Sequence, residues 1–174
     1  MSDFFKSVGC ESSTNAYSVK GSTPFIDALF ATRYGIYPDQ QPADGLKEQI
    51  GRQGSMWFYE NKYTLPVGFV MPQDMETNWV LDSGNPANVQ NDLSSVLGVS
   101  NLLVPAEGVS EGKKLTFTAD ASGDYYVYVT NKKVEEVSAE IGERSLSFDN
   151  VDRGYFLELG YLPKGQEVIF QSKT

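Results

Sequence analysis

From residue 112 onward the chain alternates apolar and polar side chains with a period of two, and this restricts its folding choices most. Leu115, Phe117 and Ala119 alternate with Lys114, Thr116 and Thr118. A strand sends successive side chains to opposite faces, so one face is buried and the other is wet. The pattern returns in Val137, Ala139 and Ile141, in Leu146 and Phe148, in Tyr155, Leu157 and Leu159, and in Val168 and Phe170. Turn signals such as Asp120-Ala121-Ser122-Gly123 separate these runs at the ~8–12-residue spacing of a β-sandwich. Tyr125–Val129 is apolar on both faces and predicts a central strand. The expectation is an antiparallel, jelly-roll-like β-sandwich over residues 112–174.

Residues 3–105 read differently, as an α+β subdomain of short helices on a small mixed sheet. Phe4, Phe5 and Val8 predict a short helix over Asp3–Val8, ended by Gly9, and Glu11–Ser18 reads as a loop. Ser22-Thr23-Pro24 is a helix start, with a hydroxyl cap before proline at the first helical position. Arg33–Tyr37 reads as a strand. Pro38–Gly54 reads as a long excursion around Pro42, Gly45, Gly51 and Gly54, with one helical turn near Leu46–Ile50. Met56–Tyr59 is an aromatic strand, and Pro66–Met71 an extended run that returns beside it. Asn85-Pro86 starts a second capped helix to Leu97, with Val89, Leu93, Val96 and Leu97 as its stripe and Gly98 closing it. Pro105–Lys113 is a connection. The overall fold class is α+β and β-rich, with the two parts sharing one core.

Fourteen Lys and Arg against 23 Asp and Glu give a net charge of −9. Such a surface repels phosphate backbones, and no basic run with interleaved aromatics offsets it, so nucleic acid is excluded as a partner. Cys10 is the single cysteine and reads as inert, since the chain has no histidine to lower its pKa. Met1-Ser2-Asp3 does not open a signal peptide, and no run reaches the ~20 apolar residues that span a bilayer.

Tyr59-Glu60-Asn61-Lys62-Tyr63 is the first candidate binding motif. Tyrosine faces beside a carboxylate, an amide and an ammonium suit sugars, which have apolar faces and hydroxyl rims. The competing reading is structural: Asn61 turns the chain and Pro66 stiffens its return. Gln90 and Asn91 form the second candidate pair, against the reading that they close neighbouring backbone groups. Trp57 and Trp79 read as core rather than as sugar platforms. Asp120–Asp124 alternates oxygen ligands but lacks the length and closing Glu of a calcium loop, so it reads as a hairpin turn. No metal site, cofactor or catalytic residue is expected. No spacing among the 23 acids selects a glycosidase pair.

Three segments carry a family resemblance. They are Gly21–Phe30 running on to Arg33-Tyr34-Gly35-Ile36, the stretch Tyr59–Phe69 with its Tyr-Glu-Asn and Leu-Pro steps, and Asn85–Leu93 with its Asn-Pro and Gln-Asn steps. In that order they resemble the YfhO family of bacterial polytopic membrane proteins, and Tyr125–Tyr128 with the Lys164-Gly165 turn extends the resemblance to roughly residues 3–172. The resemblance implies an extracytoplasmic soluble domain of a multispanning, glycosyltransferase-like parent that uses polyprenyl-phosphate sugars. It implies glycosylation of lipoteichoic or wall teichoic acid outside a Gram-positive membrane. The family's catalytic acid lies in a loop between early transmembrane helices that no position here matches, so this chain is expected to be non-catalytic and to act as a scaffold or acceptor-orienting module. Its expected partners are the transmembrane part of its own parent chain and teichoic acid or another cell-surface glycan. The rival reading is a stand-alone surface carbohydrate-binding or adhesion module.

Overall fold

The alternating strands pair as their apolar faces require. The computed structural model describes residues 2–38, 40–41, 45–79, 84–100 and 102–173. Its backbone falls into two compact units, Met1–Gly21 with Met71–Thr174, and Ser22–Val70. The fold is α+β and sheet-rich, with short helices.

The larger unit contains the helix α1 (Ser2–Ser7) and the two-residue strands β1 (Ser12–Ser13) and β2 (Ala16–Tyr17). Thus the polar segment read as a loop carries a small antiparallel ribbon. The short helix α3 (Met75–Asn78) and α4 (Pro86–Val96) belong to the same unit, after the sequence excursion Ser22–Val70 that forms the other one. A five-stranded antiparallel sheet follows, built from β6 (Gly108–Glu111), β7 (Lys114–Thr118), β9 (Val137–Ile141), β10 (Arg144–Phe148) and β12 (Glu167–Ser172), in the order β10-β9-β12-β7-β6. The segment read as a plain connection after Pro105 therefore contributes the edge strand β6. Strand β8 (Gly123–Tyr128) pairs with β11 (Phe156–Leu162) as a two-stranded ribbon.

Register explains the core. Phe117 lies opposite Val168, and Val168 lies opposite Ile141. Their side chains therefore share one face and meet Tyr155, Leu157, Leu159 and Leu162 from β11 and its approach. In β11 the register shifts between Glu158 and Gly160. That extra residue moves the buried phase from Leu159 to Leu162, where strict alternation would have placed Tyr161. Strand β8 is not central. Its Tyr125 and Val127 pack on the core, while Tyr126 and Tyr128 pack on Phe156, with ring centroids 5.7 and 6.1 Å away. Apolar side chains on both faces thus serve a ribbon covered on both sides rather than a strand inside a sheet.

The outer cover of Phe156 is the N-terminal segment. The amide of Phe156 donates to the Gly9 carbonyl at 2.7 Å, and a Cβ on Gly9 would meet the Phe156 ring. Helix α4 contacts α1 and starts as its sequence dictates, with the Asn85 side chain accepting from the Ala87 amide and Pro86 in the first turn. Gly98 follows with φ +82°.

The smaller unit holds α2 (Pro24–Leu29) and a three-stranded antiparallel sheet of β3 (Tyr34–Tyr37), β4 (Lys47–Gln53) and β5 (Met56–Asn61), in the order β3-β5-β4. Thr23 caps α2 through its hydroxyl and Pro24 opens it. Two expectations are corrected here. Leu46–Ile50 is not a helical turn: β4 starts at Lys47 and is joined to β5 through Gly54 at φ +59°. Lys47–Gln53 is nearly all polar, so its strand state comes from pairing with β5 rather than from an apolar period. Residues 62–71 form no strand, because β3 and β4 already occupy both edges of β5. Pro42, named among the turn residues, lies outside the described residues.

Candidate functional site

Strand β5 sorts its side chains by alternation. Tyr59 turns inward and is buried. Its ring meets Tyr37 edge-on at 5.6 Å, and its hydroxyl accepts from the Gln41 amide at 2.9 Å and donates to the Gln41 carbonyl at 3.4 Å. Glu60 turns to the other face, opposite Tyr34. Its carboxylate accepts from Arg33 Nε at 2.8 Å, and the Arg33 guanidinium lies 5.5 Å from the Tyr34 ring. The hydrogen bond to Glu60, with the neighbouring Tyr34 and Glu60 charges, raises the pKa of Arg33.

Asn61 does not take the left-handed conformation. Among the described non-glycine residues that conformation occurs at Ala31 and Asn150. Instead Asn61 ends β5, its backbone amide donating to the Arg33 carbonyl and its Nδ2 to the Thr32 carbonyl at 2.6 Å. The Lys62 amide donates to Leu46, and the Leu65 amide to Ala28 at 3.1 Å. Tyr63, between them, is 68% exposed.

Gln90 and Asn91 belong to the larger unit. Gln90 is wholly buried, with Nε2 donating to the Val8 carbonyl at 2.6 Å. Asn91 uses both ends of its amide on Leu103, donating from Nδ2 to the carbonyl and accepting from the amide through Oδ1. Both side chains satisfy backbone groups that helix and sheet leave open. The seven sequence-selected residues therefore fall into a group on β5 and a pair on α4, one group in each unit. Of these, Glu60, Lys62 and Tyr63 offer surface to a ligand.

Sequence reasoning passed over the open face of the small sheet. Ile36 lies opposite Phe58, and the register shift between Gln49 and Gly51 leaves Ile50 as the extra residue of β4. Ile36, Ile50, Tyr34 and Met56 are all exposed. Their signal was available in β3, where Tyr34 and Ile36 alternate with Gly35 and Tyr37, but nothing in the sequence says which of those faces is covered.

A charged cluster sits on the larger unit. Lys20 Nζ lies 2.9 Å from Asp149 Oδ1, 3.6 Å from Glu11 and 4.6 Å from the Tyr155 ring centroid. Arg153 completes it with a 2.8 Å bridge to Glu11. Burial works against the Lys20 charge, but hydrogen bonding to Tyr155 and Asp149 and the neighbouring negative charges raise its pKa on balance. The same Lys20 contact lowers Asp149. The Lys20 contribution is present below its ordinary pKa and is lost as pH rises through the raised value. The Asp149 contribution is present above the ordinary carboxylate value and is lost as pH falls through the lowered one. Lys20→Met is therefore expected to lower the urea midpoint slightly at neutral pH, as exposed pairs do. The deficit should shrink in acid; an unchanged deficit would contradict the pairing.

Asp120–Asp124 forms a turn in which the Tyr125 hydroxyl donates to Asp120 at 3.0 Å. Among the described residues no three Cys, Asp or Glu side chains gather as a metal site. Trp57 carries the Arg52 guanidinium at 4.5 Å, and Trp79 packs edge-on to Phe4 at 6.1 Å.

A family model described as the bacterial membrane protein YfhO matches residues 1–111. The chain belongs to the YfhO family. No curated protein and no solved structure matches it. The YfhO match takes in the whole smaller unit, α1, α4 and β6, and stops before β7. No helix among the described residues is long and apolar enough to cross a membrane.

Proposed function

We propose that this YfhO chain is a non-catalytic extracytoplasmic domain of a membrane glycosyltransferase that modifies lipoteichoic or wall teichoic acid, and that it orients the acceptor for the membrane-embedded part of its parent. The observation that carries the reading is the YfhO match laid over the Arg33–Tyr34–Glu60 group. An exposed tyrosine face flanked by a guanidinium and a carboxylate offers a sugar ring both stacking and hydroxyl partners. Lys62 and Tyr63 extend the same chemistry.

Charge supports this location over the rest of the surface. Residues 22–70 contain four basic and five acidic side chains, so they are nearly neutral within a chain of net charge −9. A phosphate polymer meets less repulsion there than elsewhere. Lys113-Lys114 and Lys132-Lys133 are the other basic pairs, and Lys132 is engaged 5.5 Å from the Tyr128 ring.

The test is a titration of the isotope-labelled chain with lipid-free wall teichoic acid at low salt. Amide shifts are expected at Tyr34, Glu60, Lys62 and Tyr63. A spectrum that stays unperturbed at these positions rejects acceptor binding.

A further inference from the structure

We propose that the segment Tyr63–Val70 dips into the headgroup–acyl boundary of a lipid bilayer and anchors the smaller unit to the membrane surface. Residues 63–73 contain no charge. Within them Val67 is 97% exposed and Val70 98% exposed, with Tyr63 at 68%. Single exposed apolar side chains are ordinary, but a run of them in one uncharged loop marks an interaction surface.

The loop is presented rather than loose. Its N-terminal root is fixed by the Lys62 amide on Leu46 and the Leu65 amide on Ala28, and Pro66, directly after that root, limits the backbone there. The root is thus ordered before binding. Gly68 has nothing within 4 Å of where a Cβ would stand, in keeping with an open apex.

Lipid fits better than a protein groove for two reasons. The root carries Lys62 followed by Tyr63, a cation and an amphipathic ring, the residue types that sit at headgroup level. The unit around it is nearly neutral, so anionic headgroups meet little repulsion from it, and the family is one of membrane proteins. Depth is limited by the backbone. An irregular loop has unpaired N–H and C=O groups that hydrocarbon cannot satisfy, so only the side chains of Val67 and Val70 pass the boundary, at the shallow depth of interfacial segments. This inference does not depend on acceptor binding.

The experiment uses the 174-residue chain with vesicles of phosphatidylcholine alone and of phosphatidylcholine mixed with phosphatidylglycerol. Cys10 is fully buried, so V67C supplies an accessible thiol for an environment-sensitive dye, with S110C on β6 as the control. The dye at position 67 should shift to the blue and brighten on vesicles, and the dye at 110 should not. V67D/V70D should reduce vesicle co-flotation by roughly tenfold, as charge in an interfacial apolar face does, without moving the unfolding midpoint. A dye that stays water-exposed at position 67, or a double variant that floats as well as the parent, overturns the proposal. Both outcomes send the loop to a protein surface instead. Vesicles contain no teichoic acid and the polymer titration contains no lipid, so either reading fails without the other.

Discussion

Gly21→Ala is expected to lower the melting temperature of the larger unit by about 10–20 °C. Gly21 has φ +83°, and a Cβ there would stand 2.5 Å from the Gly9 carbonyl oxygen and 2.8 Å from that of Phe156. Both obstacles are backbone, and the two residues are themselves joined by the Phe156 amide on Gly9. Alanine cannot be accommodated by turning a side chain. It must separate the N-terminal segment from the start of β11. Left-handed strain costs an alanine about 1 kcal/mol, and opening a buried backbone hydrogen bond about 1–3 kcal/mol more. Overpacking adds about 1–3 kcal/mol, and each 1 kcal/mol is worth roughly 2–8 °C across domains of this size range. Gly98→Ala is the control: it has a similar φ of +82° with open space around it, so only the conformational strain should appear. Differential scanning calorimetry on both variants decides the matter. Equal shifts would mean that the clasp between residues 9, 21 and 156 contributes nothing.

The C-terminal sandwich was legible because its signal is local. Val137, Ala139 and Ile141 alternate, and they are buried because alternation alone assigns a face. Strands β9, β10, β11 and β12 all fall where the apolar period placed them. The failures share a cause. Strand β4 has polar side chains on both faces and an extra residue at Ile50, so its state depends on β5 and not on its own composition. The Gly54-Ser55 pair was the available hairpin signal, since Gly-Ser between two runs is a two-residue turn sequence. Strand β8 was misplaced because apolar content on both faces reports double coverage, and a helix-and-loop segment covers a ribbon as well as two sheets do. The clasp was invisible for a different reason: two glycines spaced twelve apart carry no period, and only the fold brings Phe156 between them. Around Tyr59–Phe69 the sequence showed the residue types but not their division. Alternation sends Tyr59 inward and Glu60 outward, while Val67 and Val70 stay outside the core.

Gln90→Ala tests the other half of the candidate site through stability. The stripe Val89, Leu93, Val96 and Leu97 predicts one buried face for α4, yet Gln90 and Ser94 are also buried, one turn apart. The helix is therefore enclosed over a wider arc than its apolar residues mark. Gln90 is tolerated there because its Nε2 meets the Val8 carbonyl at 2.6 Å. Alanine leaves that carbonyl unpaired, at about 1–3 kcal/mol, and removes side-chain volume from a packed site, at about 1–2 kcal/mol. The expected loss in urea unfolding is thus about 2–4 kcal/mol. Gln90→Glu sharpens the test. An ionised carboxylate cannot donate to Val8, and burial raises its folded pKa above the ordinary value of ~4.3. A raised pKa gives stability that is present at low pH and lost as pH rises through it. The Glu variant should therefore approach the parent near pH 4 and fall well below it at pH 7. If Gln90 served a ligand instead, alanine would weaken the teichoic-acid shifts while leaving the unfolding midpoint where it was.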